Sequence, residues 1–303
     1  MASQSSTTDK KIEGTFPSET YRRQMRQLER MREVLAEDEE PSTSQTDENH
    51  DDKNLQSVRE VHVRRATIVD DVLNQFRDPT MLRCSLAVTF NDETGLDFGG
   101  LTQELFSTFW DAVWDRYFEG ETAKVSFVPP QSIANSKAAF KAIGRVLAHG
   151  WVLTKQIPIL FCEASLIAAI HGEDKVTDEI LLRSFHFYIS QFERDILQHV
   201  ANGDSKQPRV VDSLWTIYTR FGMTCSPAQS PAHLKEHMIE MARSEFLFKP
   251  MVLLQWIKEG IMESDMQLVS GQLSLERIQK LYEDLPPSNE KVLQMITHKE
   301  DAL

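Results

Sequence analysis

Apolar and polar positions divide the chain into a polar opening stretch and a patterned remainder. From Val58 the pattern alternates, with Val61 and Val63 on one side, as a half-buried strand does. It then changes to helical spacing at Ile68, Val72, Leu73 and Phe76, and Asp78-Pro79 stops it. Leu86-Ala87-Val88-Thr89-Phe90, bounded by Asn91-Asp92, is a second short strand. Leu101, Leu105, Phe109, Ala112 and Val113, with Phe106 and Trp110, share one helical face, predicting a helix to about Phe118 that ends at Gly120. A short strand is predicted over 125–128, and a strong helix over 136–156 with Phe140, Ile143, Gly144, Leu147, Trp151 and Val152 on one side. Gly144 lets a neighbour approach closely. Past the break at Ile157-Pro158-Ile159 the pattern predicts a buried helix over 161–170. Another starts at Thr177-Asp178-Glu179 and runs through Leu181, Leu182, Phe185, Tyr188 and Ile189. Further helices are predicted over 211–221, 233–248, 250–261, 274–284 and 288–298. The expected class is mainly α with a few short β-strands (α+β).

Composition changes the picture mostly at the amino end. Residues 1–57 are poor in core formers and predict a disordered acidic arm, with eight carboxylates and no Lys or Arg between Glu37 and Asp52. Inside that arm, 19–36 repeats Tyr21, Met25, Leu28, Met31 and Leu35 at roughly helical spacing, flanked by Arg22, Arg23, Arg26 and Arg30, which allows an amphipathic helix. The net charge of −13 argues against a non-specific grip on nucleic acid, which runs on Lys and Arg. No apolar run approaches a membrane span, and the first residues carry no apolar signal core. Three cysteines, Cys84, Cys162 and Cys225, form neither a disulfide ladder nor a zinc ligand set. An intracellular protein, cytoplasmic or nuclear, is expected.

The densest candidate chemistry lies between Phe90 and Phe106. Gly95, Gly99 and Gly100 suit a turn, and Glu93, Asp97 and Glu104 bring carboxylates to it. Clustered carboxylates can hold a hard cation, but no EF-hand spacing or His partner accompanies these. The structural reading is stronger: Asp97 caps the following helix or accepts backbone N–H bonds, and Glu93 or Glu104 pairs with Arg64 or Arg65. The glycines match neither a dinucleotide fingerprint nor a phosphate loop. His233 and His237 stand i, i+4, but no glutamate of the H-E-x-x-H type and no third ligand go with them. No cofactor and no metal are expected.

Phe90, Glu93, Gly95, Asp97, Gly99, Gly100, Leu101, Glu104 and Phe106 match F-x-x-E-x-G-x-D-x-G-G-x-x-x-E-x-F, which resembles the beginning of the HECT ubiquitin-ligase domain. Arg64-Arg65, the F-K-A-I-G-R-V-L-A-H-G run from Phe140 and the later Pro158 resemble its next landmarks. R-F-G-M-T from Arg220, F-L-F-K-P from Phe246 and L-Y-E-D-L-P-P-S-N-E-K-V-L-Q-M-I near the end are similar to a divergent branch typified by the G2/M-phase-specific ubiquitin ligase.

The resemblance implies a large helical lobe over 58–303 that docks a ubiquitin-charged conjugating enzyme. A smaller lobe would carry the cysteine that takes ubiquitin as a thioester and passes it to a protein substrate. Conjugating enzyme, ubiquitin and an unidentified substrate are the implied partners. No cysteine follows Cys225, so the chain is expected to stop before that second lobe and to lack the acceptor. Cys84 and Cys162 read as small core hydrophobes. Cys225, in M-T-C-S-P, echoes the acceptor's local sequence but has no preceding His and is not expected to serve. Phe185, Phe187, Tyr188 and Phe192 are candidate contacts for the conjugating enzyme, although aromatic stripes are more often core. The alternative is a non-catalytic binding protein that sequesters conjugating enzymes or recruits partners.

Overall fold

A parallel strand pair and the helix between its strands open the described chain. The computed structural model describes residues 57–91, 100–203, 207–227, 230–264, 269 and 271–284. The arm with its expected helix over 19–36, the turn residues Glu93, Gly95, Asp97 and Gly99, and the helix expected over 288–298 lie outside them. Strand β1 (Ser57–Val63) pairs with β2 (Cys84–Phe90) from Ser57 against Cys84 to Val63 against Phe90. Helix α1 (Ile68–Gln75) makes the crossover and buries Ile68, Val69, Val72 and Leu73, the face read from the sequence. β2 alternates buried and half-buried positions, so Leu86, Val88 and Phe90 point into the core.

Helix α2 (Gly100–Tyr117) lies on α1 and β2 and buries Leu105, Phe106, Phe109, Trp110, Val113 and Trp114. Its end runs into β3 (Phe118–Glu119), which pairs antiparallel with β4 (Val125–Ser126). Gly120 turns between them at φ +115°, a backbone conformation a side chain would strain.

Helix α3 (Lys137–Thr154) is the axis of the fold. Eleven of its residues from Phe140 to Trp151 are buried, so it is covered on nearly every side. The left-handed Lys155 ends it, two residues earlier than the pattern predicts. Next come α4 (Glu163–His171), α5 (Asp178–Tyr188), α6 (Gln191–Ala201) and α7 (Pro208–Arg220). The last are α8 (Pro231–Arg243), α9 (Met251–Met262) and α10 (Leu275–Asp284). The closest pairing is α3 on α9, where Gly144 meets the backbone at Ile257 and Gly260 meets it at Lys141.

The described residues divide into two compact units, one from 57–195 with 235–284 and the other from 196–234. In the first, α3, α9, α4 and α2 carry the core. In the second, the described residues bury Leu197, Val200, Val210, Leu214, Ile217 and Tyr218.

Three further details depart from the sequence expectation. Helix α6 is absent from it, yet begins with a capping box: Glu193 accepts from the Ser190 N–H at 2.8 Å, and the Ser190 hydroxyl accepts from the Glu193 N–H at 3.3 Å. The helix expected over 233–248 ends at Arg243 and widens into a π-turn over Ser244–Phe248, which closes from Lys249 N–H to Ser244 carbonyl at 2.9 Å. Pro250 follows with no N–H to continue an α-helical ladder. Finally, α4 starts at Glu163 with Cys162 as its N-cap, two residues later than expected.

Candidate functional site

The motif residues converge where β1 and β2 end and α2 begins. Arg65, just past β1, donates to Glu104 of α2 at 2.5 Å, and its guanidinium sits 4.4 Å from the centroid of the Phe90 ring. One side chain therefore ties the last residue of β2 to the first turns of α2 through an ion pair and a cation–π contact. Its neighbour Arg64 turns to α1, with its backbone N–H and guanidinium both donating to Asp71. These bonds, with a further one from Thr67, hold the Asp71 carboxyl below the usual carboxylate range against the opposing effect of burial. Of the paired Glu93/Glu104 and Arg64/Arg65 alternatives, the Arg65–Glu104 pair is formed.

Both partners of that pair are about 40% exposed, so it orients more than it stabilises. A double-mutant cycle of Arg65→Gln and Glu104→Gln in urea unfolding is expected to give a coupling of about 0.5–1 kcal/mol. A coupling near zero removes the pair from the architecture.

The F-K-A-I-G-R-V-L-A-H-G run lies wholly on α3 and turns polar groups inward. Arg145 is buried and donates to the carbonyls of Phe76 (2.8 Å) and Arg77 (2.9 Å), while its Nε donates to Glu263. It thus satisfies the last carbonyls around α1 and pins the end of α9. Burial would raise the Glu263 carboxyl, but bonds from Arg145 and Lys141 outweigh it and hold the group low.

His149, one turn on, is 1% exposed and lies between the rings of Phe76 and Phe106. Its Nε2–H donates to the Cys84 carbonyl at 2.9 Å, which fixes the tautomer, and Nδ1 makes no hydrogen bond to a described residue. Burial pulls its pKa from 6.5 to about 4, so the folded protein holds it neutral.

A folded pKa below the unfolded one means stability that is complete above about pH 6.5 and falls as pH drops towards about 4, by up to ~3 kcal/mol. Burial raises the Glu163 carboxyl, so that group titrates in the opposite sense. The check is therefore comparative: His149→Gln should lose less stability than the parent chain between about pH 7.5 and about pH 5 in urea titrations. Equal losses would show that His149 does not titrate on unfolding.

A second polar cluster holds α10. Arg183 of α5 donates twice to Glu163 (2.8 and 2.6 Å) and once to Glu283 (3.0 Å), and Tyr282 donates to the Phe161 carbonyl at 2.5 Å. This places the start of the L-Y-E-D-L-P-P run in the fold: Tyr282 is buried and anchors the helix. No spacing in the sequence marks these contacts, because Arg183 and Glu283 stand a hundred residues apart.

Cys84 and Cys162 are buried and Cys225 is half-buried, and none of the three is in a disulfide. Burial pushes the Cys162 thiol up, against what a nucleophile needs. Of the aromatic candidates, Phe185 and Tyr188 are core residues packed on Phe246, with centroids 6.4 and 5.2 Å away. They face inward with the apolar side of α5, so neither lines an open groove. Phe187 is half-buried and Phe192 is 63% exposed at the start of α6. Trp215 of α7, not singled out from the sequence, is 43% exposed. His233 is exposed, and no group of three or more potential metal ligands occurs among the described residues. No described helix is long and apolar enough to cross a membrane.

No family model matches the chain. Among curated proteins it is similar to the E3 ubiquitin-protein ligases UPL1 and UPL2 of Arabidopsis thaliana, each 31% identical over 105 residues. The alignment covers 32% of this chain and 3% of either relative. Over that third of its length, the chain is similar to two E3 ubiquitin-protein ligases.

Proposed function

We propose that the chain works in ubiquitin transfer as the conjugating-enzyme-docking part of a HECT-type ligase. The observation that carries this reading is the partial match to two E3 ubiquitin-protein ligases. The later motifs from Arg220 and Phe246 favour the divergent branch. The chain receives the charged enzyme, and a cysteine outside it takes ubiquitin as a thioester. Burial of Cys84 and Cys162 supports that division, because a thiol shielded from solvent cannot meet a thioester. Exposed aromatics anchor protein contacts, so Phe192 is a docking residue and half-buried Phe187 a lesser one, while buried Phe185 and Tyr188 support the helix behind them.

Titration of the chain with a panel of ubiquitin-charged conjugating enzymes, followed by calorimetry, is expected to find at least one binder. Phe192→Glu should weaken it by about tenfold or more, with thermal stability unchanged. No reductant-sensitive ubiquitin adduct should form on the chain. Failure of the whole panel to bind ends this reading, and an adduct lost in Cys225→Ala ends the assignment of the acceptor elsewhere.

The binding-only alternative rests on the same burial of thiols. It predicts that the chain slows discharge of its conjugating enzyme by another ligase and never accelerates transfer when a cysteine-bearing lobe is added.

A further inference from the structure

The first unit carries an open apolar cleft that the docking residues do not use, with the motif's Phe106 and the landmark Pro158 in its lining. Phe106, Trp110 and Trp114 of α2 form one wall, and the segment after α3, with Ile157, Pro158 and Ile159, forms the other. Its volume is about 210 Å³, below the several hundred Å³ typical of metabolite and cofactor sites and suited to one or two side chains. The loop wall is turned to solvent: Ile159 is 48% and Leu160 37% exposed. Large aliphatic side chains adjoining buried tryptophans are the composition of an interface core rather than of a solvated rim.

Two features say what kind of occupant fits. Asp111 is the single charged residue of the lining, and it is exposed and has no ion-pair partner among the described residues. The backbone N–H groups of Ile157 and Ile159 make no hydrogen bond to a described residue, because the loop does not extend α3 and its bridge to Lys124 begins only at Leu160. An apolar slot bordered by one anion and by unpaired backbone donors suits a polypeptide, whose carbonyls accept those bonds and whose side chains alternate between slot and rim.

We propose that this cleft docks a segment of a partner protein in which an aliphatic or aromatic side chain stands next to Lys or Arg. The apolar side chain enters between Trp110 and Ile159, the basic one pairs with Asp111, and the segment's carbonyls take up the free loop donors. The assignment rests on the cleft alone and requires no transfer activity.

The probe is a phage-displayed library of random 12-residue peptides, panned on the full chain and on two surface variants, Ile159→Glu and Asp111→Lys. Both positions are exposed, so folding is expected to survive, and circular dichroism of each variant checks it. Enriched peptides should carry an aliphatic or aromatic residue within two positions of Lys or Arg. A synthetic, fluorescently labelled copy of one of them should lose about tenfold or more in affinity on Ile159→Glu. Panning on Asp111→Lys should shift the charged neighbour from basic to acidic. The proposal is overturned if no sequence is enriched, if enriched peptides bind Ile159→Glu as tightly as the parent chain, or if their charge preference is unchanged by Asp111→Lys.

Discussion

Gly144→Val should fail to give a stably folded protein, or should lose more than ~3 kcal/mol in urea unfolding. A β-carbon at this position would lie 2.1 Å from the Ile257 carbonyl oxygen, and one at Gly260 would lie 2.0 Å from the Lys141 carbonyl oxygen. Both obstacles are backbone, so no side chain can swing aside, and relief requires α3 and α9 to separate. That separation opens the best-packed layer of the first unit, since α3 is buried over Phe140–Trp151 and Ile257 is buried opposite it. The clash begins at the β-carbon, so Gly144→Ala should already cost most of the effect. Gly100→Ala is the control: a β-carbon there meets nothing within 4 Å, and the change should stay within about 1 kcal/mol. Parallel urea curves for the three variants decide it, and a stable Gly144→Ala chain would mean that the two helices do not touch through their backbones.

Arg145→Met is expected to cost about 3–5 kcal/mol, although it preserves much of the side chain's volume. The loss comes from what is left behind: the carbonyls of Phe76 and Arg77 without their donor, and Glu263 with only Lys141 beside it. Arg145→Lys should fall between, because one ammonium cannot serve three acceptors in the geometry of a guanidinium. A pH signature separates this from a packing defect. Glu263 is held below its usual range in the folded chain, so its contribution is present above the unfolded pKa and lost as pH falls through the folded one. In Arg145→Met that acid-side dependence should shrink, and the Glu263 titration followed by NMR should move upward. An unchanged titration would detach Arg145 from the acid.

Much of the layout could be read from local pattern because local physics decided it. The α2 stripe, the turn at Gly120 and the capped start of α5 follow from side-chain period, backbone freedom and a threonine cap, each set within a few residues. Gly144 was legible too, as a small residue on the buried face of a strong helix. Helix α6 shows the limit of reading apolar spacing alone, since its clearest local signal was the polar pair Ser190 and Glu193. Phe185 and Tyr188 show another limit. A helical stripe of aromatics looks the same whether it meets solvent, a partner or Phe246, and only the position of Phe246, sixty residues on, resolved it.

The sequence by itself determined the class of the fold, most of the segments that become helices and strands, and the family its motif resembles. These depend on propensity, period and turn chemistry, which act between near neighbours. Only the tertiary structure decided that Arg65 holds Phe90 and Glu104 together, that Arg145 serves three acceptors at the ends of two helices, and that His149 stays neutral against the Cys84 carbonyl. It also decided that α2 and the loop after α3 leave a cleft open. Those outcomes depend on which distant surfaces meet and on how much water they exclude, and both burial and charge pairing are properties of the packed chain rather than of any stretch within it.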